Sequence, residues 1–182
     1  MGCDIHAYID YDDFKARDGD WWVSCFADRV RFGRNYTLFT LMAGVRYDPR
    51  IDKYHPLFGP RGLPDRLSWS TEREYGLRVT ESEALADAEG YCSVENASEW
   101  TKSGHSVWLD DEHTTISCPD WHSASWLTVE ELEKVKEAYE SIEVGEIKTY
   151  TVPKTFDAII AAMKELDGET PGRSRLVFWF DG

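Results

Sequence analysis

Met1-Gly2-Cys3-Asp4-Ile5-His6-Ala7-Tyr8-Ile9-Asp10 alternates with a strict period of two. Successive side chains of a strand point to opposite sides, so this stretch reads as a strand with two distinct faces. Cys3, Ile5, Ala7 and Ile9 make the apolar face, which is expected to lie on a core. Asp4, His6, Tyr8 and Asp10 make the other. That second face sets carboxylates, an imidazole and a phenol on rigid backbone, where a site is held more accurately than on a loop. Its purely structural alternative is an edge strand with a wet polar side.

Working outward, residues 20–26 are rich in aromatics and form a second strand that pairs with the first as a hairpin. Residues 175–180 (Arg175-Leu176-Val177-Phe178-Trp179-Phe180) are a further strand that returns to the same sheet, since an apolar strand left unpaired invites aggregation. Asn35 caps a helix through Val45, with Leu38, Leu41, Met42 and Val45 on one stripe and Gly44 near its end. Thr128 and Glu131 form a capping box for a second helix, whose Leu132, Val135, Tyr139 and Ile142 face inward. Pro153 opens a third, with Phe156, Ile159, Ile160 and Met163 buried and Gly168 as its stop. A short helix is expected over 81–88 and a strand over 146–152. Residues 46–68 lose all periodicity under Pro49, Pro56, Pro60 and Pro64, and form a long loop whose aromatics favour order. Residues 91–120 show no element. The sum is one α+β domain over 1–182, with a mostly antiparallel sheet, three main helices and a long ordered loop.

A net charge of −14 disfavours duplex nucleic acid and anionic membrane as partners, because both reward a basic surface. No apolar run reaches the ~20 residues that span a bilayer. The start lacks a secretory pattern, and Cys3, Cys25, Cys92 and Cys118 are too scattered for a disulfide framework; a cytoplasmic setting is expected. Charge is unevenly spread: residues 29–78 hold nine Arg and one Lys against five carboxylates, a balance of +5 that leaves −19 for the rest.

Two constellations could carry chemistry. Asp4-Ile5-His6, Asp111-Glu112-His113 and Asp120-Trp121-His122 share one spacing, so three of the five histidines follow an Asp by two places. On a strand this spacing offers oxygen and imidazole from one face. Asp4, His6, Asp120 and His122 are thus candidate ligands for a divalent metal such as Zn or Mn, more than Mg or Ca. The second constellation is the Arg-rich middle. Arg34, Arg46, Arg61 and Arg66 stand among Tyr36, Tyr54, Phe32 and Trp69. Planar guanidinium suits phosphate or carboxylate, and aromatic faces stack a base. The alternative is that these arginines pair with the acidic remainder.

Beyond the first hexapeptide, Asn35-Tyr36-Thr37-Leu38-Phe39, Ala43-Gly44-Val45-Arg46, Arg61-Gly62-Leu63-Pro64, His122-Ser123 before Trp126-Leu127-Thr128, and Phe180-Asp181 give the chain a further signature. These blocks and the Met1-Gly2-Cys3-Asp4-Ile5-His6 start resemble small phage-encoded proteins of uncharacterised function. The resemblance implies a phage origin and action in the cytoplasm of an infected bacterium, and it supplies no catalytic residue. The expected function is an accessory protein that binds a small nucleotide-like ligand, such as a host defence signal. Two alternatives stay open: a metal-dependent hydrolase of such a phosphoester, and an acidic decoy for a basic host protein. Homo-oligomerisation also stays open.

Overall fold

Period-two alternation at the start becomes strand β1 (Asp4–Asp12), which lies inside a four-stranded sheet and not at its edge. This computed structural model describes residues 2–13, 22–26, 28–31, 33–50, 54–144, 148–149 and 152–182. The sheet order is β2 (Trp22–Ser24), β1, β9 (Ser174–Asp181), β6 (His122–Leu127), antiparallel throughout. The hairpin and the returning strand are therefore present, and β9 takes the middle of the sheet beside β1. Asp20 and Trp21, the expected start of the second strand, lie outside the described residues.

One face of the sheet carries Cys3, Ile5, Ala7 and Ile9 from β1 with Leu176, Phe178 and Phe180 from β9. Three helices cover it: α1 (Tyr36–Ala43), α4 (Val129–Glu140) and α5 (Lys154–Asp167). Local chemistry sets their ends. Asn35 accepts from the Leu38 N–H, and Gly44 closes α1 in the left-handed region at φ 68°. Thr128 and Glu131 make the full reciprocal box at the start of α4. Pro153 precedes α5, and Gly168 follows it at φ 53°.

The opposite face is not wet. His6, Tyr8 and Asp10 are buried there beneath α2 (Trp69–Tyr75) and the loop before it, with Tyr75, Val177, Trp179 and Ala124 packed among them. A smaller sheet extends this layer, with β3 (Gly76–Thr80) parallel to β4 (Tyr91–Ser93) and antiparallel to β5 (Thr115–Ser117). Helix α3 (Val94–Lys102) closes a satellite core of Cys92, Ala97 and Ile116 against it. The segment read as featureless thus holds three elements: β4 and β5, of three residues each and too short to show a period, and α3, whose one fully buried side chain, Ala97, leaves no apolar stripe to read. The helix expected over 81–88 is instead a run of turns, in which the Leu85 and Ala86 N–H groups share the Ser82 carbonyl. Leu85 is exposed, so an amphipathic helix there would have no core to lie on. Of the strand expected over 146–152 the structure describes β8 (Lys148–Thr149), paired with β7 (Glu143–Val144), while Val152 is outside it; 146–147 and 150–151 lie outside the described residues.

Among the described residues, 46–68 contain no helix or strand, and residues 51–53 lie outside them. This loop is packed nonetheless. Tyr54 and Phe58 join the helical core, while Leu63 and Leu67 join the other face. The loop therefore wraps the β6 edge, bonded to Leu41 through the Leu57 and Phe58 N–H groups and to Ala124 through that of Gly62. No helix among the described residues is long and apolar enough to cross a membrane.

Candidate functional site

At the end of the sheet where β9 finishes, a cleft of about 640 Å3 opens between α1, the loop and β6. Arg46, Pro56, Gly59, Pro60, His122 and Ser123 are among its lining residues. Arg46 stands two residues past Gly44, the helix stop. It sits at φ 64°, a left-handed conformation that disfavours any side chain, and the Thr40 hydroxyl braces this turn through the Val45 carbonyl at 3.0 Å. Its guanidinium lies 5.9 Å from the Tyr36 ring centre. The buried Cys3 thiol is close by: burial pushes its pKa up, and the Arg46 charge opposes that rise.

Ser123 is also left-handed, at φ 52°, so two of the three described non-glycine residues with positive φ line this one cleft. Its position has a structural cause. His122 pairs with Phe180 and Ser125 with Phe178, so three steps on β6 match two on β9, and the extra residue makes a bulge. His122 stacks on the Phe180 ring at 6.0 Å, and its Nδ1 lies 3.0 Å from the Ser123 hydroxyl. Next to the cleft, Arg34 forks onto Asp4 at 2.5 and 2.6 Å and holds its carboxyl below the usual range. Gly2 lies directly under that guanidinium and against Gly182, and a Cβ on either glycine would collide.

Across the sheet, the buried His6 centres a polar cluster whose other charged members reach the surface. Arg29 Nη1 donates to His6 Nδ1 at 2.9 Å. A guanidinium only donates, so the ring proton sits on Nε2, which faces Asp181 Oδ2 at 3.1 Å. Burial raises the Asp181 carboxyl, but His6 and the Asp4 N–H outweigh it and leave the pKa below its ordinary value. Glu74 stands 4.0 Å from His6 Nδ1, and Tyr8 is pushed well up by burial and by Glu74. Trp121 and Trp179 flank the imidazole, with ring centres at 4.5 and 5.8 Å.

The four expected metal ligands are not brought together. His6 pairs with Trp179 and His122 with Phe180, and these neighbours on β9 face opposite ways. His6 therefore belongs to one side of the sheet and His122 to the other. Asp4 turns to Arg34, and Asp120 is exposed in the turn before β6, where Trp121, not Asp120, meets His6. No group of three His, Cys, Asp or Glu among the described residues is arranged to hold a metal.

The arginine set is divided three ways. Arg46 lines the cleft, Tyr36 lies beside Arg46 without lining it, and Arg34 stands over Gly2 next to the cleft's Gly182. Tyr54 packs on the helical core, its hydroxyl 3.3 Å from that of Thr37. Arg61 forks onto Glu131 at 2.9 and 2.5 Å, at the edge of β6. Arg66 precedes α2 and Trp69 begins it on the far face, where the Arg66 carbonyl accepts from Arg175 and Arg73 covers the Trp69 ring. Phe32 lies outside the described residues. Sequence reasoning missed Ser123, Glu74 and Asp181 as site residues; Ser123 and Asp181 fall in the signature blocks, but nothing local gives any of the three a role, because a bulge and a long-range register put them in place. The fold and its cleft define an α+β protein with a pocket of mixed polar and apolar lining at the sheet's end. No family model, curated protein or solved structure matches the chain.

Proposed function

We propose that the protein binds a small anionic ligand of nucleotide size in the cleft, with Arg46 as its principal contact. The observation that carries this reading is Arg46 itself, a charged residue held left-handed on the cleft wall. That conformation costs roughly 1–2 kcal/mol for a residue with a Cβ, and such strain gathers at functional sites. A glycine would relieve it, yet the chain keeps a guanidinium there. A volume of about 640 Å3 falls in the range of small-molecule sites. Tyr36, 41% exposed beside Arg46, offers a flat face to a ring. The resemblance to phage-encoded proteins supports a setting in an infected bacterium, where uptake of a nucleotide-derived signal would blunt a host response.

The test is calorimetric titration with ADP and with inorganic phosphate. Arg46→Gly should lose about tenfold to a hundredfold in ADP affinity, the value of a charge-assisted contact. The same change should leave the melting temperature equal or higher, because the strain is gone. Undiminished ADP binding by Arg46→Gly, or none by the unaltered protein, would overturn the proposal.

A further inference from the structure

In a regular strand a histidine and the serine directly after it face opposite ways and cannot touch. In β6 they do touch. The bulge between His122 and Ser125 takes up one residue, and Ser123 absorbs it at φ 52°. This folds the hydroxyl back to the side of its neighbour, 3.0 Å from His122 Nδ1. Bulges commonly re-aim a side chain beside an active site. Both partners are braced: the imidazole stacks on the fully buried Phe180, and the hydroxyl is held by the bulge. The pair opens on the same cleft as Arg46.

We propose that Ser123 and His122 are a nucleophile–base pair that cleaves a small ester carrying an anionic group, with Arg46 holding that group; this rests on the cleft being the ligand site. A hydroxyl within hydrogen-bond reach of an imidazole is the arrangement that activates serine. The Ser123 oxygen attacks the ester carbonyl carbon, and its proton passes to His122 Nδ1. The tetrahedral intermediate collapses with rupture of the ester C–O bond, and the departing alcohol takes the proton from His122. Water then attacks the acyl-serine, gives a proton to His122, and the carboxylic acid leaves as Ser123 regains its hydrogen. Among the described residues no carboxylate is bonded to His122 Nε2, so the base lacks the third member that orients it in a triad. Such a pair suits esters with good leaving groups more than amides.

The full chain is treated with diethyl 4-nitrophenyl phosphate, which phosphorylates an activated serine with release of 4-nitrophenol, and is mapped by mass spectrometry. One diethylphosphoryl group on Ser123 is expected. It should be absent in Ser123→Gly, which relieves the left-handed strain and keeps the fold, and much slower to form in His122→Gln. Turnover of mono-4-nitrophenyl succinate should exceed that of 4-nitrophenyl acetate by about tenfold or more, and Arg46→Gly should erase the preference. Label on another residue, no label, or ester turnover unchanged in Ser123→Gly would overturn the inference. If the unaltered chain binds ADP yet takes no label, the catalytic inference alone falls. If Arg46→Gly binds ADP undiminished, the binding reading falls, and this inference falls with it.

Discussion

Replacing Arg61 with alanine should destabilise the fold by about 2 kcal/mol and should leave the cleft's ligand affinity unchanged. Its guanidinium donates to both Glu131 oxygens at 2.9 and 2.5 Å, reaches the Trp126 carbonyl at 3.3 Å, and lies 5.3 and 5.1 Å from the Phe58 and Trp126 ring centres. The Arg61 side chain is 31% exposed and that of Glu131 19%, so neither limiting case applies. A fully exposed pair would contribute at most about 1 kcal/mol, and breaking a fully buried one costs about 3–5 kcal/mol. Glu131 would not be stranded, because the Thr128 N–H still donates to it at 3.0 Å, which argues against the upper figure. For a chain of this length about 2 kcal/mol lowers Tm by about 4–8 °C. The assay is urea and thermal unfolding of the parent, Arg61→Ala, Glu131→Gln and the double variant; glutamine keeps the capping acceptor and removes the charge. Coupling in the cycle should be about 1–2 kcal/mol near neutral pH. Burial raises the Glu131 carboxyl, but hydrogen bonds from Arg61 and Thr128 outweigh it and leave the pKa below the ordinary 4.5. A carboxyl lowered by folding stabilises above its unfolded pKa, and that contribution is lost as pH falls through the lower folded value. The coupling should therefore fade in acid, below 4.5. An unchanged Tm for Arg61→Ala, or coupling that persists after Glu131 is protonated, would refute this account. Were ADP affinity to fall with Tm unchanged, Arg61 would be a ligand contact, as the loop's sequence alone leads one to expect.

Asp10, fully buried, accepts from the Ser68 N–H at 2.9 Å and the Thr71 hydroxyl at 2.6 Å, with Arg175 at 3.7 Å. Asp10→Ala leaves that arginine buried without its counter-charge and should cost about 3–5 kcal/mol, read as a lower urea midpoint; an unchanged midpoint would show the cluster to be energetically neutral. Deleting residues 176–182 should abolish cooperative unfolding, because Leu176, Val177, Phe178, Trp179 and Phe180 are all fully buried in an inner strand, each contributing roughly 1.5–3 kcal/mol. A truncated chain that melts cooperatively at the parent temperature would remove β9 from the core.

The sequence by itself determined those features whose causes lie within three or four residues. Asn35 bonds to Leu38 and Thr128 to Glu131, so the starts of α1 and α4 are written locally, as is the glycine stop after α1. The alternation of β1 and the apolar run of β9 likewise announce strands without reference to anything distant. What only the tertiary structure decided is how those pieces meet. Asp-x-His correctly sets Asp4 and His6 on one face, but register on β9 sends His6 and His122 to opposite sides. One residue of slip reverses a strand's faces, and no local pattern records that slip. The Ser123 bulge exists only because β6 pairs with β9 on both sides of it. Arg61 could have met a ligand or an acid, and the choice of Glu131 followed from the loop wrapping the β6 edge. Strands β3, β4 and β5 are stable only as partners of one another, so their sequences carry no period of their own to read.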